Sequence, residues 1–141
     1  KAKLSFNGQI LQGISKRLMK GFWIRHPEEM KSWGTDLIYL RPEYRGSKLA
    51  EALIEYDVDP ILLKKHGINI NHAELSALQS KRIFRRLGYD IIDRTDDHVL
   101  DEKGNKLMFS SIGGTIEMGE KDYRLVESTN CKIHWEKMGL L

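Results

Sequence analysis

DLIYLRPEYRGSKLAEALI, residues 36–54, decides the fold. An apolar run, Leu37 to Leu40, reads as a short strand that stops at Arg41-Pro42, because proline cannot donate to a ladder. PEYRGSK then reads as a tight loop. Leu49, Ala52, Leu53 and Tyr56 recur at helical spacing, so a helix follows at once. The loop's backbone amides therefore open a helix N-terminus, where N–H groups lack partners and the local charge is positive. Such a terminus binds a pyrophosphate without any side chain. Gly46 allows close backbone approach and Ala50 is too small to block it. The spaced glycines of a nucleotide P-loop and the GxGxxG of a dinucleotide fold are both absent.

Outward from this stretch the helix continues through LAEALIEYDVDPILLKKHG, residues 49–67, with Pro60 kinking it or starting a new turn and Gly67 ending it. INI (68–70) is a short strand. A second helix covers 75–87 and stops at Gly88, with Leu75, Leu78, Ile83 and Leu87 inward and Lys81, Arg82, Arg85 and Arg86 outward. YDIIDRTD (89–96) reads as a strand. DEKGNKLMFSS (101–111) reads as a turn and a strand, YRLVEST (123–129) and KIHWEKM (132–138) as further strands, with a break at Ile112-Gly113-Gly114. Before residue 36, Asn7-Gly8 between two alternating runs predicts a hairpin, since a type I′ turn needs positive φ at both centres. Residues 14–35, with Trp23, Pro27, Trp33 and Gly34, read as a long irregular connection. Strands alternating with helices give an α/β class.

IYLRPEYRGSKLAEALI resembles the acyl-CoA-binding motif of the GCN5-related N-acetyltransferase superfamily, a strand followed by V-x-P-x-Y-R-G-x-G-[IL]-[AG]-x-x-L-[IL]. LQSKRIFRRLGYDII (78–92) is similar to that superfamily's second motif, S/N-x-x-[IL]-[YF]-x-[KR]-L-G-[FY]. Two motifs in order are far more specific than one, and together they span roughly residues 35–95. Within the superfamily, Ser80, KRIFRRLGY and the acidic stretch after it look most like the arylalkylamine-type N-acyltransferases.

The resemblance implies a mixed, mostly antiparallel sheet flanked by helices in one domain: hairpin and loop over 1–35, acyl-CoA core over 36–95, C-terminal strands over 96–141. It implies acyl-CoA, most simply acetyl-CoA, as co-substrate and a small primary amine as acceptor. The pyrophosphate would meet amides of Arg45, Gly46, Ser47, Lys48, Leu49 and Ala50, and the pantetheine arm would pair with the strand edge at Leu37, Ile38, Tyr39 and Leu40. The chain departs from the motif at Lys48, where the family has glycine. The slot of the tyrosine that protonates the departing thiolate holds Phe84, which has no proton to give. Ser80, one turn earlier, is the alternative acid and lies with Phe84 beside the thioester. For the base, Asp36, Glu43, His72 and the Asp96-Asp97-His98 group are candidates. Each has a plain structural reading: loop carboxylate, helix cap or solvated turn.

The resemblance also leaves the N-terminal part short or missing. Only about 35 residues precede the strand, so a preceding segment or a second chain is expected to complete the domain. A non-catalytic acyl-CoA-binding or protein-interaction module of the same fold is the competing reading.

Composition limits the remaining classes. The chain has 141 residues, 30% of them charged, enough for one domain. Cys131 is its one cysteine, so there is no internal disulfide and no thiolate-rich zinc site, and a reducing, cytoplasmic setting is expected. No metal is called for. No apolar run approaches the roughly 20 residues of a membrane span, and KAKLSFNGQ lacks the apolar core of a secretion signal. A net charge of +3 and a pI near 9.0 favour an anionic partner. No aromatic stacking pattern marks a nucleic-acid binder.

Overall fold

The computed structural model describes residues 3–95, 103–105, 115–124 and 126. Asp96, Asp97, His98, Cys131 and the strands expected at 106–111 and 132–138 lie outside them.

The expected hairpin is not formed. Residues Phe6–Arg25 make one helix, α1, which runs through Asn7-Gly8. Ser5 caps it by accepting the Gly8 amide at 3.2 Å. Ile10, Ile14, Leu18 and Phe22 recur every four residues, and the last three are buried. That spacing outweighs the turn propensity of Asn-Gly and the cost of about 1 kcal/mol for a glycine inside a helix.

The strand expected at 36–40 is also displaced. The ladder is made three residues earlier, by β1 (Trp33–Thr35). A short 3₁₀ turn, Pro42–Tyr44, leads to α2 (Leu49–Asp57). Pro60 starts a separate helix, α3 (Pro60–Lys65), whose first amide is capped by Asp59. Gly67, at φ +66°, ends it. The expected strand INI is longer and later, as β2 (Ile70–Leu75). The second-motif helix is accordingly shorter than expected: α4 (Leu78–Arg86), ended by Gly88 at φ +84°. β3 (Asp90–Arg94) falls where it is expected. Among the described residues the next strand is β4 (Glu117–Asp122); most of the expected strand YRLVEST lies outside them.

The four strands form one sheet in the order β1-β2-β4-β3. β1 is parallel to β2; the β2–β4 and β4–β3 pairs are antiparallel. The mixed, mostly antiparallel sheet flanked by helices is therefore as expected. Each face carries its own core. On one, Ile54 of α2, Val58 just after it, Leu63 of α3 and Phe84 of α4 pack against Ala73 and Leu75 of β2 and against Tyr89. On the other, Ile14 and Leu18 of α1 pack against Ile116 and Met118. Side-chain alternation puts His72 and Glu74 on the α1 face and Asn71, Ala73 and Leu75 on the α4 face. Among the described residues no helix is long and apolar enough to cross a membrane.

Two expectations for α4 fail. Leu78 is exposed rather than inward. Lys81 is buried rather than outward, its ammonium donating to the Thr115 carbonyl at 2.5 Å.

Candidate active site

β1 and β2 pair over three rungs only: Trp33 with Asn71, Gly34 with His72, Thr35 with Ala73. β2 continues through Glu74 and Leu75, which pair with β4 alone. From Asp36 the first strand has left its neighbour. Residues 36–41 have no regular hydrogen-bonded structure. Ile38 is turned into the α4-face core, while Leu37 and Tyr39 are exposed. The apolar alternation of DLIYL is strand-like, but the ladder is missing. The two parallel strands therefore part, and a run of backbone donors and acceptors borders the gap.

Asn71 ties the parting strands together. It is fully buried; its amide donates to the Trp33 carbonyl at 2.8 Å, and its carbonyl accepts from the Tyr89 hydroxyl. Burial and the neighbouring Tyr123 hydroxyl push the Tyr89 phenol up, so it remains a donor at any working pH. The sequence reading passed Asn71 over. An asparagine inside a strand is itself a signal, since strands disfavour it unless its amide is used.

Beyond the gap lies the loop. Residues 41–48 are all exposed. Gly46 has φ +82°, and a Cβ added there would meet nothing within 4 Å. The Ser47 hydroxyl turns back to donate to the Tyr44 carbonyl at 2.6 Å, so it does not cap α2. Lys48 occupies the N-cap position in the left-handed region, φ 61°, and provides no side-chain cap. Among the described residues the amides of 46–51 therefore have no acceptor and open toward solvent. An anion fits that arrangement. Lys48 holds the conformation for which the related motif uses glycine, at a cost on the order of 1–2 kcal/mol.

Ser80 is half-buried in the first turn of α4, without a hydrogen bond among the described residues. Phe84 is deep in the core, its ring edge-on to Tyr89 at 4.8 Å. Three cations of the α4 stretch have other engagements. Arg85 pairs with Glu117 at 2.8 Å, Arg86 with Glu51 at 2.5 Å, and Lys81 is buried. Arg82 is exposed and has no ion pair among the described residues.

His72 does not precede a helix; it stands on β2, facing α1. Its Nε2 is 3.2 Å from Ser32 Oγ, and its ring is 5.1 Å from that of Phe22. Burial pulls its pKa down, against the opposing pull of Asp36, Glu74 and Glu120. Glu74 accepts from Ser15 at 2.7 Å. Glu120 pairs with Arg25 and, at 2.7 Å, with His26. Asp36 is exposed at the start of the gap. Glu43 is on the exposed 3₁₀ turn beside Arg41.

No protein-family model matches the chain, and no curated protein matches it significantly. Solved structures do. The mosquito arylalkylamine N-acetyltransferase like 5b is 20% identical with a TM-score of 0.65, over 86% of this chain and 57% of that one. Arylalkylamine N-acetyltransferase 2 from Aedes aegypti is 19% identical, TM-score 0.64, over 82% and 52%. The Drosophila melanogaster polyamine N-acetyltransferase, an enzyme that forms N-acetylagmatine, is 19% identical, TM-score 0.61, over 82% and 55%. The likeness establishes the fold as the one these N-acetyltransferase structures share. The chain spans a little over half the length of these structures.

Proposed function

We propose that the chain is the acyl-CoA-binding part of an N-acyltransferase, moving an acyl group, most simply acetyl, from coenzyme A to a small primary amine. The observation that carries this is the continuity of parted strands and open loop. The segment 36–40, outside the ladder and with its Leu40 carbonyl taken by Arg45 Nε at 3.2 Å, leads within a few residues to free amides at the head of α2. A diphosphate on a pantetheine arm needs these two things in this order: anion donors, then a run of extended backbone groups to pair with.

In this reading the amides of Gly46, Ser47, Lys48, Leu49 and Ala50 hold the pyrophosphate, whereas the Arg45 amide, expected among them, already donates to the Pro42 carbonyl at 3.2 Å. Backbone groups of Leu37, Ile38, Tyr39 and Leu40 align the arm. The Lys48 ammonium adds a point charge beside the phosphates, and Arg82 is the α4 cation free to meet a further phosphate. The thioester supplies an activated carbonyl, so no covalent enzyme intermediate is required. Ser80, half-buried at the start of α4, protonates the departing sulfur. Phe84, buried against Tyr89, shapes the wall beneath the thioester. Arylalkylamines and agmatine, the amines named for the structural neighbours, are the acceptors to try first. The setting proposed is cytoplasmic.

Thiol release from acetyl-CoA, followed with a chromogenic disulfide against a panel of such amines, tests the reading. Amine-dependent release supports it. Coenzyme A binding without release points instead to a non-catalytic acyl-CoA-binding module.

A further inference from the structure

The last rungs before the strands part have an unusual construction. Gly34 and His72 are cross-strand partners, and the space where a side chain at 34 would stand is taken by the imidazole. A Cβ at 34 would lie 2.7 Å from His72 Cε1 and 3.2 Å from Nε2, with an Asp36 carboxylate oxygen 3.5 Å away. Gly34 and Asp36 are exposed, whereas His72 itself is buried. The imidazole edge thus sits under an exposed glycine, at the mouth of the gap. It faces α1, and α4 with Ser80 lies across the sheet. Its Nδ1 has no hydrogen-bond partner among the described residues.

From this geometry we infer that His72 is the proton acceptor for the amine substrate, reached from the α1 side of the parted strands. The inference rests on the acyl-transfer reading above and assigns its base. The assignment takes the tautomer in which Nε2 carries the hydrogen and donates it to Ser32 Oγ, which leaves the lone pair on Nδ1. The acceptor's ammonium gives one proton to that lone pair, directly or through one water, and His72 later returns it to solvent. The freed amine nitrogen bonds to the thioester carbonyl carbon and the carbon–sulfur bond breaks. The second proton lost from nitrogen goes to sulfur, so amide and free thiol form with atoms and charge balanced.

The groups facing His72 are accounted for on each neighbouring element. Asp36 follows β1, Glu74 is on β2, Glu120 on β4, and Arg25 and His26 on α1. Glu120 is engaged by Arg25 and by the His26 ring, and Glu74 by Ser15. Burial outweighs the carboxylates, so His72 is neutral near pH 7 and able to accept. Asp36 beside it attracts a cationic amine to the same spot.

The test is the pH profile of kcat/KM for acetyl transfer by the full chain, wild type against His72→Gln, with tyramine or agmatine as acceptor. The expected wild-type profile has an acidic limb below pH 6.5, which His72→Gln abolishes. The variant's kcat falls about 10²–10⁴-fold, while acetyl-CoA affinity by calorimetry stays within about threefold of wild type. A variant that keeps the limb and most of its rate overturns the assignment and leaves acyl transfer standing. If the wild type releases thiol with no amine, the acyl-transfer reading fails and takes this assignment with it. If His72→Gln does not fold, the wild-type imidazole is titrated by NMR. A pKa matching the kinetic limb supports the assignment, and a mismatch overturns it.

Discussion

Gly34 and His72 occupy one another's space: the glycine has no side chain because the imidazole across the ladder fills its position. The contact fixes the ring at the mouth of the gap, between Phe22 and the β1 backbone. Gly34→Ala therefore drives a methyl into a buried ring that is packed at a tilt against Phe22. The expected cost is about 1–3 kcal/mol, read as a lower urea midpoint at unchanged m-value. An alanine variant as stable as wild type would show that the ring is loosely held.

Stability should depend on pH through the same histidine. Its folded pKa lies below the unfolded value of about 6.5, so the unfolded chain binds the proton more readily. The stabilising contribution is complete above that value and is lost as pH falls below it. Asp122, held low by Arg124, acts by the same rule in a more acidic window, below the usual carboxylate range. Urea midpoints measured from pH 7.5 to 5.5 should fall for wild type and fall less for His72→Gln. Parallel curves would remove His72 from the account.

Asn71 is the fastening of the parted strands. Asn71→Ala leaves the Trp33 carbonyl and the Tyr89 hydroxyl without their partner in a buried site. A loss of about 2–6 kcal/mol is expected, on the order of 1–3 for each of the two orphaned groups. Thermal unfolding measures it, and a loss well under 1 kcal/mol would mean that water replaces the amide.

The loop offers a contrast between two left-handed positions. Gly46→Ala meets no atom, so its cost is backbone strain alone, on the order of 1–2 kcal/mol, and it should weaken coenzyme A binding by shifting the amides. Lys48→Gly relieves strain at φ 61° but removes an ammonium. Its affinity for coenzyme A should fall most at low salt, where a point charge counts. Equal effects at all salt concentrations would exclude a direct role for the Lys48 charge.

These sites differ in how far they could be read beforehand. The loop, α2, α4 and the glycines that end the helices follow local rules, and Gly67 and Gly88 stand where those rules put them. β1 was misplaced because Trp33-Gly34-Thr35 has no apolar alternation, whereas Leu37 to Leu40 has it without a ladder. β4, Glu117–Asp122, carries no strand pattern at all. Its buried Glu117 and Glu120 are tolerated because Arg85, Arg25 and His26 arrive from helices distant in sequence. The same distance hid the surroundings of His72: Ser32, Gly34 and Phe22 meet it only once α1 and β1 are in place. In α1 the sequence holds two conflicting local signals, and the four-residue apolar spacing, which buries Ile14, Leu18 and Phe22, prevails over the Asn-Gly turn signal.

The account depends most on the gap and loop holding coenzyme A. Isothermal titration of coenzyme A into the full chain, alongside Gly46→Val, measures this directly. Saturable one-to-one binding by wild type, lost in the variant while the fold persists, is the result expected. No binding by wild type, or equal binding by both, would contradict it.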